Sequence, residues 1–520
     1  MPTVVGITPD NRLESDAIGV SQDTVIGLAN SAPTVSIALT IAALAAATAY
    51  GAVPALLICA VPMVVIANAY RRLNMWNTNC GVSFEWVGRT INPYLGFMTG
   101  WFVIVAVTVG TAGTVDVLGP SVLAVFNANA TNKWWNCLIA VVLCLVMLVI
   151  AILGIRLTAR TQVGMAIVEY VILLVFATWG LTAVLSHHAG TVPITRSWFS
   201  VSGIDGKGSL ALGMLTAIFM FSGWEASVYV NEESTRRSIN PGRAAITGTL
   251  VLAVLYVFSI LGLQGAVSSK TLQNAPSPLI AIGQALGGGN WAKVMALAIA
   301  LSTIATVGTG ILLAARITYS MACRRVLPEF LSQVSSRFRT PANTTALCGI
   351  LLVAVSVLYL LVTSLQNAFT DAVDVTAELA ILVYGLTTLA TIVYYRRRIF
   401  TGVGSALTLG ILPLGAIGFL AWVFYKQVAT TTTAQKWTLV GIIVFGLLLM
   451  LASRVFLRSS FYRVALESDK SVARLRSLTR PYEAAQPASN RSPNTPRSTS
   501  SEFGRPASLP NPRTYACRRP

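Results

Sequence analysis

Long stretches without charge govern what this chain can become. Residues 24–70 carry no charged side chain, and comparable apolar runs recur as far as residue 453. A helix that crosses a bilayer needs about 20 predominantly apolar residues. The first run therefore holds two helices, and the chain holds twelve: roughly 25–47, 51–70, 92–116, 134–154, 162–186, 209–231, 243–266, 292–320, 342–364, 375–395, 404–426 and 436–457. Charged residues make up only 11% of the chain, against about 25% in a soluble domain. The reading is an all-α integral membrane protein rather than a soluble enzyme with a large core.

The net charge of +18 suggests nucleic acid at first sight. Its distribution argues otherwise. Of the 37 Lys and Arg, 30 fall on the side of the predicted helices that the termini share and seven on the opposite side. Basic residues gather on the cytoplasmic face of membrane proteins, so both termini are expected in the cytoplasm. Residues 1–23 carry Asp10, Arg12, Glu14, Asp16 and Asp23 and read as a cytoplasmic segment with no cleavable signal. Residues 459–520 read as a disordered basic cytoplasmic tail that contacts anionic lipid. Eight of the 22 prolines lie beyond residue 464. Neither a nucleic-acid partner nor a cofactor is expected. The cysteines lack metal-like pairing, and His187-His188 is read as a solvated loop pair.

Two of the apolar segments are interrupted. The first contains Ala29-Asn30-Ser31-Ala32-Pro33-Thr34 early in its run, and proline removes a backbone donor there. The sixth breaks at Phe221-Ser222-Gly223 and then places Glu225 inside an apolar run. Irregular backbone at membrane depth survives only where it lines a cavity or is buried in protein. An intramembrane carboxylate marks a candidate functional site. The two broken segments are five helices apart in order, so they enter the bilayer from opposite faces. Such a pair points to a secondary transporter with a site near the midplane.

Further motifs join these. The loop after the second helix contains Gly81-Val-Ser-Phe-Glu-Trp-Val-Gly-Arg89, and the third helix opens with Leu95-Gly-Phe-Met-Thr-Gly-Trp101. The sixth carries Phe219-Met-Phe-Ser-Gly-Trp-Glu225, followed by Glu232-Glu233 and Ile239-Asn-Pro241. Ala315-Arg-Ile-Thr-Tyr-Ser-Met-Ala322 leads to Leu327-Pro328 and then to Arg337-Phe-Arg-Thr-Pro341. In this order and spacing the chain resembles a permease of the amino acid–polyamine–organocation (APC) superfamily over about residues 20–460.

The resemblance implies a five-plus-five inverted repeat (about 25–186 and 209–395) with discontinuous helices 1 and 6, plus two extra helices at about 404–457. Together these form a permease domain over 24–458. It implies a substrate, an amino acid or related amine, whose carboxylate rests on Asn30, Ser31, Ala32, Pro33 and Thr34. The amino group meets carbonyls near Phe219, Phe221, Ser222 and Gly223, with Phe221 or Trp224 as an aromatic gate. Glu225, Glu169 and Glu378 are the ion-coupling candidates. Burial would bring such carboxylates into the range where protons exchange. Glu169 stands where some proton-coupled relatives have lysine. The stripe Ser302, Thr303, Thr306 and Thr309 is read as packing, with a sodium site as the sharper alternative.

The function expected is secondary active transport across the plasma membrane, by proton symport. Two rival readings remain at this stage: an exchanger of an amino acid for an amine, and a nutrient sensor that does not transport. The sequence lacks a converging nucleophile and base, which argues against an enzyme. It also lacks the phosphate-binding loop of a primary pump.

Overall fold

The computed structural model describes residues 12–129, 132–201, 209–362, 365–430 and 432–469. Among them are twelve helices long and apolar enough to cross a membrane. They are Val20–Thr48, Ala52–Trp76, Pro93–Val125, Lys133–Leu153, Ile155–Leu185, Leu210–Tyr229, Asn240–Leu263, Gly289–Cys323, Ala342–Leu361, Asp374–Tyr395, Val403–Ala429 and Gln435–Leu457. The first is broken between Val20–Ser31 and Pro33–Thr48, and the sixth between Leu210–Phe221 and Ala226–Tyr229.

Several boundaries differ from the sequence expectation. The fifth span starts at Ile155 rather than near 162, because Gly154 alone turns the chain out of the fourth. Gly154 has φ 133°, a conformation that only glycine adopts without strain. The third span runs on to Val125 through a break after Val115. The helix carrying the tenth span begins at Leu365. Three short helices, Ser83–Thr90, Ser269–Asn274 and Pro278–Gly287, lie outside the spans.

Packing divides the spans sharply. The seventh span lies along the second, and the tenth along the third. The eighth is buried over most of its length against the third and fifth. The eleventh and twelfth stand at the edge, with side chains such as Leu414, Tyr425, Phe445 and Leu448 exposed. An apolar exposed face of this kind suits a lipid environment.

The chain stays packed past residue 458. Phe461 is buried and stacks on Phe84 at 4.6 Å, while Glu467 pairs with Arg89 at 2.8 Å. The proline- and arginine-rich part of the expected tail, 470–520, lies outside the described residues.

Candidate functional site

Pro33 organises the first break. It has no N–H to continue the helix, and its ring drives the preceding residue out of the right-handed helical region. Ala32 accordingly sits at φ 46°, ψ 66°, and Pro33 opens the second half as its first residue. A helix start leaves N–H groups without intrahelical partners. Two of these reach neighbouring spans: Thr34 N–H donates to Glu169 Oε1 at 3.1 Å, and Val35 N–H to Ser302 Oγ at 3.2 Å. On the other side of the break, the Ala29 carbonyl accepts from the Thr306 hydroxyl at 3.4 Å.

The sixth span unwinds at Ser222, which is extended (φ −71°, ψ 153°). Its N–H and hydroxyl both donate to the Phe219 carbonyl, at 3.0 and 2.6 Å. Gly223 follows at φ 108°. Its N–H donates to Glu225 Oε2 at 2.9 Å, and the same oxygen accepts from the Tyr384 hydroxyl at 2.7 Å. The two breaks touch: Asn30 Nδ2 donates to the Gly223 carbonyl at 3.3 Å.

An open pocket, with about 680 Å³ of empty space that includes open solvent, lies against both breaks. Its wall draws on the first, third, sixth, eighth and tenth spans. From the breaks it extends towards Thr114 and Thr376, in the parts of the third and tenth spans remote from the termini. Of the residues singled out in the sequence, Asn30, Ser31, Ala32, Phe219, Ser222, Gly223 and Glu225 line it. Pro33, Thr34, Phe221 and Trp224 do not, and each is buried. Trp224 stacks on Tyr384 (5.7 Å) and meets Tyr70 edge-on (5.1 Å), while Phe221 meets Tyr256 edge-on (5.5 Å). The aromatic residues of the wall are therefore Phe219 and Tyr384, not the pair expected as a gate. Glu169 is buried behind the first break, and Glu378 is buried in the tenth span outside the wall.

Sequence reasoning missed Tyr384, Thr376 and the third-span residues Val103, Ala106, Val107, Gly110, Thr111 and Thr114, all in the wall. Gly110 and Thr111 within an apolar helix were the available signal. In the polar stripe of the eighth span, the hydroxyls of Thr303, Thr306 and Thr309 donate to carbonyls of their own helix.

The route from the cavity to the termini side is filled. Arg316 and Glu233, both without exposed atoms, form a two-point ion pair at 2.7 and 3.0 Å. Glu232 accepts the Cys80 N–H at 3.0 Å, and Asn231 donates to Asn74 and to the Asn79 carbonyl at 2.8 and 3.1 Å. Asp23 accepts from the Ser234 hydroxyl at 2.6 Å, and Ile18 forms a β-bridge with Ser234. Burial pushes the Glu232 carboxyl above its usual range, and the Cys80 N–H opposes that shift.

Known proteins share sequence with this chain. The D-serine/D-alanine/glycine transporter of Escherichia coli O6:H1 is 22% identical over 317 residues, 59% of this chain and 65% of the transporter. The Asc-type amino acid transporter 1 of Mus musculus is 24% identical over 295 residues, 54% of this chain and 53% of its own length. The gamma-aminobutyric acid permease of Bacillus subtilis is 20% identical over 301 residues, 56% and 61% of the two chains. The chain thus spans between half and two thirds of the length of these curated relatives. The family described as amino acid permease matches residues 18–449, most of the chain. With that match, the twelve spans and the two broken helices at a common cavity, the chain belongs to the amino acid permease family of the APC superfamily.

Proposed function

We propose that this chain is a secondary active transporter that carries amino acids or related amines by alternating access, with proton symport. The observation that carries the reading is the meeting of the two broken helices around one cavity, with Glu225 in its wall. Among the described lining residues, Glu225 is the only Asp, Glu, Lys, Arg or His. Small neutral amino acids are therefore the first substrates to test, and two relatives are named for D-serine, D-alanine, glycine and gamma-aminobutyric acid. The wall reaches away from the termini while the termini side is filled, which supports a state open on one side only. Both termini are placed in the cytoplasm on the distribution of basic residues, and the membrane on which the protein acts is the plasma membrane.

Coupling is assigned to Glu169. Its carboxylate spans a joint between the fifth span and the second half of the first, through the Thr34 N–H. Protonation weakens an acceptor at a helix start, where negative charge is favoured. Uptake of radiolabelled neutral amino acids into proteoliposomes tests the reading. An inward proton gradient should drive accumulation in the native protein. Glu169→Gln should retain exchange of internal for external substrate and lose the response to the gradient. Accumulation that follows sodium instead would overturn the coupling assignment, and no uptake of any amino acid would overturn the function.

A further inference from the structure

The segment that follows the last span carries a second feature, independent of the cavity. Residues 459–469 run across the termini side and touch four elements there. The Ser459 hydroxyl donates to the Arg324 carbonyl at 2.6 Å, at the end of the eighth span. Phe461 stacks on Phe84 of the short helix Ser83–Thr90. A Cβ on Gly88 would stand 2.6 Å from the Phe461 ring, so the helix leaves a notch that the ring fills. Tyr462 stacks on Tyr94 of the third span at 5.2 Å. The Glu467 N–H donates to the Arg89 carbonyl at 2.7 Å, and its carboxylate pairs with the Arg89 guanidinium. The Asp469 N–H donates to the Tyr394 carbonyl at 3.0 Å, and its side chain pairs with Arg398 beyond the tenth span.

These contacts converge on the element that holds the filled side closed. The helix Ser83–Thr90 continues directly from Asn77–Val82, the loop whose Cys80 N–H and Asn79 carbonyl bind Glu232 and Asn231 after the sixth span. Glu85 of the same helix pairs with both Arg89 and Arg324. An opening on this side must part the loop from the end of the sixth span. An eight-residue helix has too few internal hydrogen bonds to hold its own position. Its place is set by what packs on it: the third and tenth spans on its inner side, and Phe461, Glu467 and Arg324 across the termini side. We propose that residues 459–469 form a strap that keeps the termini side shut by immobilising the helix Ser83–Thr90, so that the chain after the last span sets the balance between closed and open states.

Cys80 offers an internal reporter, because it is buried in the loop that must move. Cys59, in the core of the second span, serves as the control for folding. The purified full-length protein, Phe461→Ala and a chain ended after Arg458 are exposed to a maleimide, and labelling of each thiol is followed by peptide mass spectrometry. The strap variants should label Cys80 roughly tenfold faster, as expected when a minor open state gains population, with Cys59 unchanged. A chain ended after Asp469 should behave as native. Exchanging the charges in Arg398→Asp with Asp469→Arg should restore slow labelling lost in Asp469→Arg alone. Native labelling of Cys80 in Phe461→Ala, or a parallel rise at Cys59, would overturn the strap.

Discussion

Gly223 of the sixth span lies so close to Asn30 of the first that a Cβ on it would stand 2.8 Å from the Asn30 carbonyl oxygen and 2.7 Å from the Ser31 nitrogen. The contact joins the two broken helices at their breaks, and it works only with a glycine at φ 108°. Both the missing side chain and the left-handed backbone are required.

Gly223→Ala therefore forces the breaks apart. Loss of the favoured backbone and the clash together cost about 1–3 kcal/mol, read as a lower melting temperature in detergent. Uptake should fall by one to two orders of magnitude, roughly the cost of an ångström of misplacement at a reacting site. A fully active Gly223→Ala variant would mean that the two breaks need not touch.

Glu169 invites a comparison of two substitutions. Gln keeps a carbonyl oxygen for the Thr34 N–H, whereas Ala leaves that buried donor without a partner, at a cost of about 1–3 kcal/mol. Thermal unfolding should place Glu169→Gln near the native protein and Glu169→Ala clearly below it. Equal losses would show that the bond to Thr34 does not hold the second half of the first span.

The Arg316–Glu233 pair is buried on both sides. Removing one partner leaves a bare charge, which costs about 3–5 kcal/mol, while replacing both with apolar residues of similar size can be nearly neutral. Arg316→Met or Glu233→Leu alone should reduce stability strongly, and the double variant should recover most of it. The double variant should also open the termini side more readily, read as faster labelling of Cys80. Additive losses in the double-mutant cycle would argue against a direct pair.

Glu232 supplies a pH dependence with a defined sign. Its carboxyl is raised above its unfolded value by burial, so the folded protein binds its proton more tightly than the unfolded chain does. The contribution to stability is complete below the ordinary carboxylate value and is lost as pH rises through the raised value. Glu232→Gln keeps an oxygen for the Cys80 N–H and removes the titration. Its melting temperature should fall less between mildly acidic and neutral pH than that of the native chain. Parallel curves for the two proteins would rule Glu232 out as the source.

Much of the architecture was legible in advance because bilayer thickness sets a length that apolar composition must match. Twelve spans and breaks at Pro33 and Ser222-Gly223 follow from that length and from the chemistry of proline and glycine. The short helix Pro278–Gly287 and the packed segment 459–469 were not legible, since neither has the length of a span. Residue 461 looks like any tail phenylalanine until the notch at Gly88 is known.

Chain order alone determined that this protein crosses the membrane repeatedly and that two of its crossings are interrupted, because both properties are local. Which side chains face the cavity was decided only by the packing of distant spans. Trp224 and Glu225 are adjacent, yet one is packed in the core against Tyr384 and Tyr70 while the other lines the wall. Tyr384 enters the site from more than 150 residues away, and Glu169 meets Thr34 from a different span. Such meetings depend on interhelical geometry, which no local periodicity encodes.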